Sequence, residues 1–260
     1  MKDLIITTIQ THLLWEDAQA NIAHFDKRIN QLSEQTDIIV LPEMFTTGFT
    51  MNPSKLAEEH GGMGMQWMIQ KAKEKNCVIT GSISVKHNEN FYNRLYWIKP
   101  DGTYEYYDKR HLFRMGNEHQ HYKAGDEKLI IEYKGWKICP LVCYDLRFPV
   151  WSRNTKDNTY DVLIYVANWP EVRSYPWKQL LIARAIENQC YVVGVNRIGE
   201  DGNNIKHSGD TSIINPRGEV LSKTLAHEDK SETLILSYTY LQEFRKLFPV
   251  MMDSDDFKII

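Results

Sequence analysis

The stretch Asp37-Ile38-Ile39-Val40-Leu41-Pro42 narrows the possible folds more than any other. It is continuously apolar and too short for a helix, the pattern of a strand buried on both faces in a parallel sheet. Before it, residues 4–9 form a first strand-like run, and Ile22, Phe25, Ile29 and Leu32 mark one face of a helix, with Asp17 placed to cap its start. Helix must therefore cover strand, which commits the chain to an α/β arrangement.

The remaining segments continue that pattern. Residues 46–64, with Gly48, Gly61, Gly62, Gly64 and Pro53, read as a loop bordering a pocket. Met65, Met68, Ile69 and Ala72 follow as a second helix whose methionine face belongs to the core. Residues 77–85 form a strand, and residues 93–99 pair with 103–107 across the turn Pro100-Asp101-Gly102. Residues 129–133 and 136–142 bracket Lys134-Gly135, residues 161–167 and 190–196 are further strands, and 177–188 are helical between them. Short runs at 212–215, 220–221 and 233–237 precede a last helix at 240–248. Two sheets packed face to face and covered by helices suit this order, in one domain spanning residues 1–260.

A formal net charge of −3 leaves no electrostatic footprint for nucleic acid or an anionic membrane. The first residues pass straight into a strand-like run, and no apolar stretch is long enough to span a bilayer, so a soluble, cytoplasmic protein is expected. Cys77, Cys139, Cys143 and Cys190 lie in or beside apolar runs without CxxC spacing, so neither disulfides nor a metal site is expected.

Three apolar runs end at a charged or reactive side chain: Glu43, Lys109 and Cys143. Open α/β sheets bind ligands at strand ends, and a carboxylate, an ammonium and a thiol gathered there form a set for acyl transfer. Spacing alone leaves open the alternative of two solvated strand-end charges and a core cysteine.

Leu41-Pro42-Glu43-Met44-Phe45, Tyr107-Asp108-Lys109-Arg110-His111-Leu112-Phe113 and Leu141-Val142-Cys143-Tyr144-Asp145-Leu146-Arg147-Phe148-Pro149 resemble, in order, the glutamate, lysine and cysteine motifs of the nitrilase superfamily of carbon–nitrogen hydrolases. The similarity extends through Asn168-Trp169-Pro170, residues 183–188 and Asn215-Pro216-Arg217-Gly218. It implies a four-layer α-β-β-α sandwich, associated as a homodimer with residues 238–260 at the interface. Residues 109–115 and 118–125 resemble the bacterial ω-amidases, which hydrolyse 2-oxoglutaramate and 2-oxosuccinamate and are tied to methionine salvage.

The resemblance implies a role for each matched residue. Glu43 is the base, Cys143 the nucleophile, and Lys109 with the Tyr144 backbone N–H the oxyanion donors. Glu118, seven residues before Gly125, holds Lys109 and the substrate amide. A 2-oxo acid amide needs a carboxylate clamp, for which Arg173 is the candidate, since a guanidinium bonds both oxygens of a carboxylate. Phe45, Phe49 and Trp169 are candidate pocket walls. The chemistry requires no cofactor and no metal.

Competing readings are weaker on the residues. His111, His119 and His121 offer a histidine to a papain-like thiol hydrolase, but that family's cysteine signature is absent, and polar loop positions suit all three. No GxSxG, GxGxxG or GxxxxGK[ST] element occurs. The alternatives that remain are a thiol amidase or N-carbamoyl hydrolase for another small substrate, and a non-catalytic binding scaffold.

Overall fold

The computed structural model describes residues 2–156 and 158–259. Met1 and Ile260, the ends of the expected domain, lie outside the described residues, as does Asp157. In chain order the elements are β1 (Leu4–Gln10), α1 (Ala18–Asn30), β2 (Ile38–Val40), α2 (Pro53–Leu56), β3 (Glu58–Glu59), α3 (Met63–Lys75), β4 (Val78–His87), β5 (Asn90–Ile98) and β6 (Tyr104–Asp108). There follow α4 (Glu118–His121), β7 (Ile131–Tyr133), β8 (Trp136–Val142), α5 (Pro149–Ser152), β9 (Val162–Ala167), α6 (Ser174–Asn188) and β10 (Tyr191–Asn196). The chain then closes with β11 (Ile198–Glu200), β12 (Lys206–Ser208), β13 (Ser212–Ile214), β14 (Lys230–Leu236) and α7 (Tyr238–Leu247).

One sheet runs β14-β1-β2-β4-β5-β6 with β3 against β4, and the other β13-β10-β9-β8-β7. In both, three parallel strands form the centre, β1-β2-β4 and β10-β9-β8, and antiparallel strands close the edges.

Alternation along each strand builds the layers, because successive side chains leave opposite faces. Ile38 and Val40 join Leu95, Trp97 and Ile138 between the sheets. Ile39, Tyr96 and Ile98 turn the other way, onto Phe25, Ile29, Met65 and Met68 of α1 and α3. Trp177, Leu181 and Ala185 of α6 cover the second sheet. The result is the α-β-β-α sandwich. Cys77, Cys139 and Cys190 are buried and unpaired, and the Asp17 carboxylate caps α1 at Ala20 N, 3.0 Å away.

Residues 46–64 are more ordered than a loop. Pro53, whose fixed φ suits the first turn of a helix, starts α2, and β3 pairs with β4 at Glu58 and Val85. The Glu58 carboxylate then accepts from Gly64 N and Met65 N at 2.7 and 3.1 Å, taking up free N–H groups at the start of α3. The β11–β12 hairpin also lies in a stretch with no strand expected. No helix among the described residues is long and apolar enough to cross a membrane.

Candidate active site

Glu43, Lys109 and Cys143 follow the C-terminal ends of β2, β6 and β8. Beyond β2 the chain is tied to β4 by Leu41 N to Thr80 O, Met44 N to Ser82 Oγ and Phe45 N to Ser82 O. Met44 takes a left-handed φ of 43° and Cys143 one of 44°. Such a conformation costs a residue with a side chain about 1–3 kcal/mol, and it persists where surrounding contacts enforce it.

Glu43, Lys109 and Glu118 have no side-chain exposure. The Lys109 Nζ donates to Glu43 Oε1 at 2.8 Å and to Glu118 Oε2 and Oε1 at 2.9 and 3.0 Å. Asn93 Nδ2 donates to the same two carboxylates at 2.8 and 3.1 Å. Phe113 N donates to Glu118 Oε2 at 2.6 Å, and Asn168 N to Glu43 Oε2 at 2.8 Å. Glu118 is therefore buried, although the sequence around it is polar. Gly125 packs where a Cβ would stand 2.3 Å from Asp108 O, and its N–H reaches Lys109 O at 3.0 Å. That close approach ties the segment after Glu118 to the strand end bearing Lys109.

Burial alone would pull the Lys109 ammonium down, but the charges of Glu118 and Glu43 outweigh it and hold Lys109 above its ordinary value. Burial pushes the Cys143 thiol well up and the Glu43 charge adds to this, with Lys109 opposing. Glu118 is likewise raised by burial against the pull of Lys109. The sulfur is thus a thiol at rest, beside an acceptor for its proton and a fixed cation.

Cys143 opens to a cavity of about 290 Å³, at the small end for a ligand pocket. Phe49, Tyr144, Trp169 and Arg173 all line it. Phe45 does not: it is fully buried between Phe25 and Trp67, with ring centroids 5.5 and 5.6 Å away. An aromatic beside the motif glutamate looks the same in sequence whether it faces the core or the pocket. His111 is more than a polar loop residue, because its ring stacks on Phe148 at 3.8 Å and its Nδ1 meets Asp145 Oδ1 at 2.8 Å.

Three contributors escaped the sequence reading. Asn93 bridges the two carboxylates from inside β5, and its only signal is an amide, next to Arg94, in a strand run. Asn168 holds Glu43 through its N–H and through Nδ2 to Glu43 O at 2.5 Å; it stood in a motif segment without a role. Arg147 lines the cavity four residues after Cys143, with its guanidinium 5.0 Å from the Trp169 ring centroid.

A family model described as carbon–nitrogen hydrolase matches residues 5–245. The omega-amidase YafV of Escherichia coli K12 is 48% identical over 261 residues, covering 100% of both chains. The 2-oxoglutaramate amidase of Bacillus subtilis 168 is 36% identical over 254 residues, covering 95% of this chain and 96% of its own. The crystal structure of XC1258 from Xanthomonas campestris, a CN-hydrolase superfamily protein with an arsenic adduct in the active site, superposes with a TM-score of 0.97 at 42% identity over both full chains. With the sandwich, the buried carboxylate–ammonium network and the thiol lining the cavity, these likenesses make the chain a member of the carbon–nitrogen hydrolase family, within the nitrilase superfamily.

Proposed function

We propose that this protein is an ω-amidase, hydrolysing the terminal amide of 2-oxoglutaramate and 2-oxosuccinamate to the 2-oxo dicarboxylic acid and ammonia. The observation that carries the reading is a buried thiol sharing one small cavity with the Arg173 guanidinium, while Glu43 and Lys109 stand behind it. The likeness to the E. coli omega-amidase and the B. subtilis 2-oxoglutaramate amidase supports the substrate class.

In this reading Glu43 takes the proton of Cys143, and the thiolate attacks the amide carbon. Lys109 and the Tyr144 N–H stabilise the oxyanion; a single such donor is worth roughly 3 kcal/mol of barrier. Glu43 returns its proton to the leaving ammonia and a thioester remains. Glu43 then deprotonates water, the resulting hydroxide attacks the thioester, and Cys143 leaves with the proton restored. Glu118 keeps Lys109 charged and in place. Phe49 and Trp169 wall the substrate, and Arg173 binds its carboxylate.

The reading also carries a cytoplasmic, cofactor-free enzyme of one domain whose copies pair through α7 and the residues after it. Leu247, Phe248 and Met252 are 79%, 60% and 76% exposed there, which supports the pairing. Light scattering of the purified protein checks it, with a monomer mass against the pairing.

The test of function is ammonia release from 2-oxoglutaramate beside L-glutamine, succinamate and an N-carbamoyl amino acid, with Cys143→Ala as control. Release that depends on Cys143 and favours 2-oxoglutaramate is expected. Preference for another of these substrates would replace the substrate, and release undiminished in Cys143→Ala would overturn the mechanism.

A further inference from the structure

The β5–β6 ribbon has two faces, and only one of them belongs to the active site. Arg94 on β5 stands opposite Asp108 on β6, and the pairing runs one residue further through Lys109 N to Asn93 O at 3.0 Å. Successive side chains leave opposite faces of a strand. Asn93 and Lys109 therefore turn together onto Glu43 and Glu118, while Arg94 and Asp108 turn together onto the other face. There Arg94, 2% exposed, donates through Nε and Nη2 to Asp108 Oδ1 and Oδ2 at 2.7 and 2.8 Å, a two-bond fork. Its Nη1 lies 3.2 Å from His60 Nδ1 and 3.0 Å from His87 Nδ1. A guanidinium only donates, so both Nδ1 atoms accept, and each ring is neutral with its proton on Nε2. His60 Nδ1 also accepts from Tyr96 OH at 2.9 Å, and its Nε2 donates to Tyr104 OH at 3.2 Å. The two imidazoles stack at 5.0 Å and are half-buried, within reach of solvent protons.

Resting on the reading of Lys109 as an oxyanion donor, we propose that Arg94 and Asp108 are positioning residues for Lys109 and Asn93, and that His60 and His87 make this clamp sensitive to acid. A proton gained at either Nδ1 sets an N–H against an N–H of Arg94 and a positive charge against a positive charge. The guanidinium is then pushed from its seat, and Asp108 passes the shift to the next residue, Lys109. Burial and the Arg94 and His87 charges lower His60 from 6.5, with Asp108 opposing, so the clamp is closed at neutral pH and loosens on the acid side. The other groups facing it are accounted for. Tyr106 and Tyr92 present their rings to Arg94, with centroids 3.9 and 5.1 Å away. Tyr96 is pushed up by burial and stays a neutral phenol. Glu58, whose charge reaches Tyr96, is raised by burial, and Lys86 pairs with Glu59 at 2.9 Å. Substitution of the histidines alone separates their protons from that of Glu58.

The experiment measures kcat and KM for 2-oxoglutaramate and, separately, the rate of Cys143 alkylation by acrylamide, between about pH 5 and about pH 8.5. It compares wild type, Asp108→Asn, Arg94→Lys and the double variant His60→Gln/His87→Gln, with a thermal melt to show that each is folded. Glutamine offers Arg94 an acceptor oxygen and has no proton to gain. Asp108→Asn and Arg94→Lys break the fork and should lower kcat about 30-fold with KM within about 2-fold of wild type. Both should also slow alkylation, because the Lys109 charge that lowers the Cys143 thiol is displaced. The double histidine variant should match wild type near about pH 8 and keep about 5-fold more of its kcat and alkylation rate at about pH 5.5. Should Asp108→Asn fail to fold, Arg94→Lys and the double variant carry the same comparison. A folded Asp108→Asn or Arg94→Lys with kcat and alkylation within about 2-fold of wild type would overturn the positioning role. Superimposable pH profiles for wild type and the double variant would overturn the acid sensitivity. A wild type that releases no ammonia would remove the ω-amidase reading, and the alkylation rates would still decide the clamp.

Discussion

Asp145 accepts two hydrogen bonds from His111 through one oxygen, from the backbone N–H at 3.0 Å and from Nδ1 at 2.8 Å. Its other oxygen accepts from Tyr107 OH at 2.8 Å and Val142 N at 3.0 Å. One fully buried carboxylate therefore ties the turn that carries Cys143 to both ends of the segment that carries Lys109. Asp145→Asn keeps the shape but turns an NH2 toward two donors. We expect kcat to fall about 100-fold with KM nearly unchanged, the loss typical of a nucleophile displaced from its working position. Ammonia-release kinetics and a thermal melt check this; a kcat within a factor of two of wild type would mean that Asp145 does not position the thiol.

Lys109 is the cation shared by two buried carboxylates, so its removal leaves two uncompensated charges. Lys109→Met should abolish turnover and cost about 3–5 kcal/mol of stability. Glu118→Gln leaves Lys109 paired with Glu43, so it should cost less stability while still lowering kcat. Urea unfolding of both variants orders them, and equal losses would contradict the arrangement.

The thiol and its base separate in a different assay. Burial and the Glu43 charge hold Cys143 up, and Lys109 opposes them. Glu43→Gln removes the raising charge and leaves the lowering one, so more thiolate is present at a given pH. Amide turnover should fall by about 10³-fold for want of the base, while alkylation by acrylamide persists or quickens. Mass spectrometry of the modified cysteine over a pH series measures it. Alkylation that stops in Glu43→Gln would show that the thiolate forms only through Glu43.

What the sequence disclosed depends on the range of the interaction. Ile38 and Val40 against Ile39 reveal two-faced burial directly, and Glu43, Lys109 and Cys143 stand out because each follows an apolar run. The pairing of β1 with β14, Leu4 against Leu236, leaves no local trace. Asp145 and His111 are 34 positions apart and each looks like a polar loop residue. Arg147 lies inside the cysteine motif, but only the structure places its guanidinium in the cavity with Arg173. Residues 46–64 misled because Gly and Pro mark helix starts as well as loops, and the strand contributed by Glu58 is too short to show a period.

His207 on β12 is 2% exposed, and burial with the Arg197 charge brings it down from 6.5 to about 4. In the unfolded chain it takes a proton near 6.5; in the fold it stays neutral until about 4. Between these values the unfolded state binds more protons, so stability is fully present above 6.5 and falls as pH drops toward 4. At about 1.4 kcal/mol per pH unit the loss approaches 3 kcal/mol. His24 and His60 are also lowered and act in the same direction, whereas Glu58, raised by burial, acts in the opposite one. The His207 share is therefore read as a difference between proteins. Urea unfolding between about pH 7.5 and about pH 4.5 should show wild type losing stability more steeply than His207→Gln, which has no proton to gain. Parallel curves for the two would mean that His207 is protonated alike in both states, and the β11–β12 hairpin would then have to open before the rest of the fold.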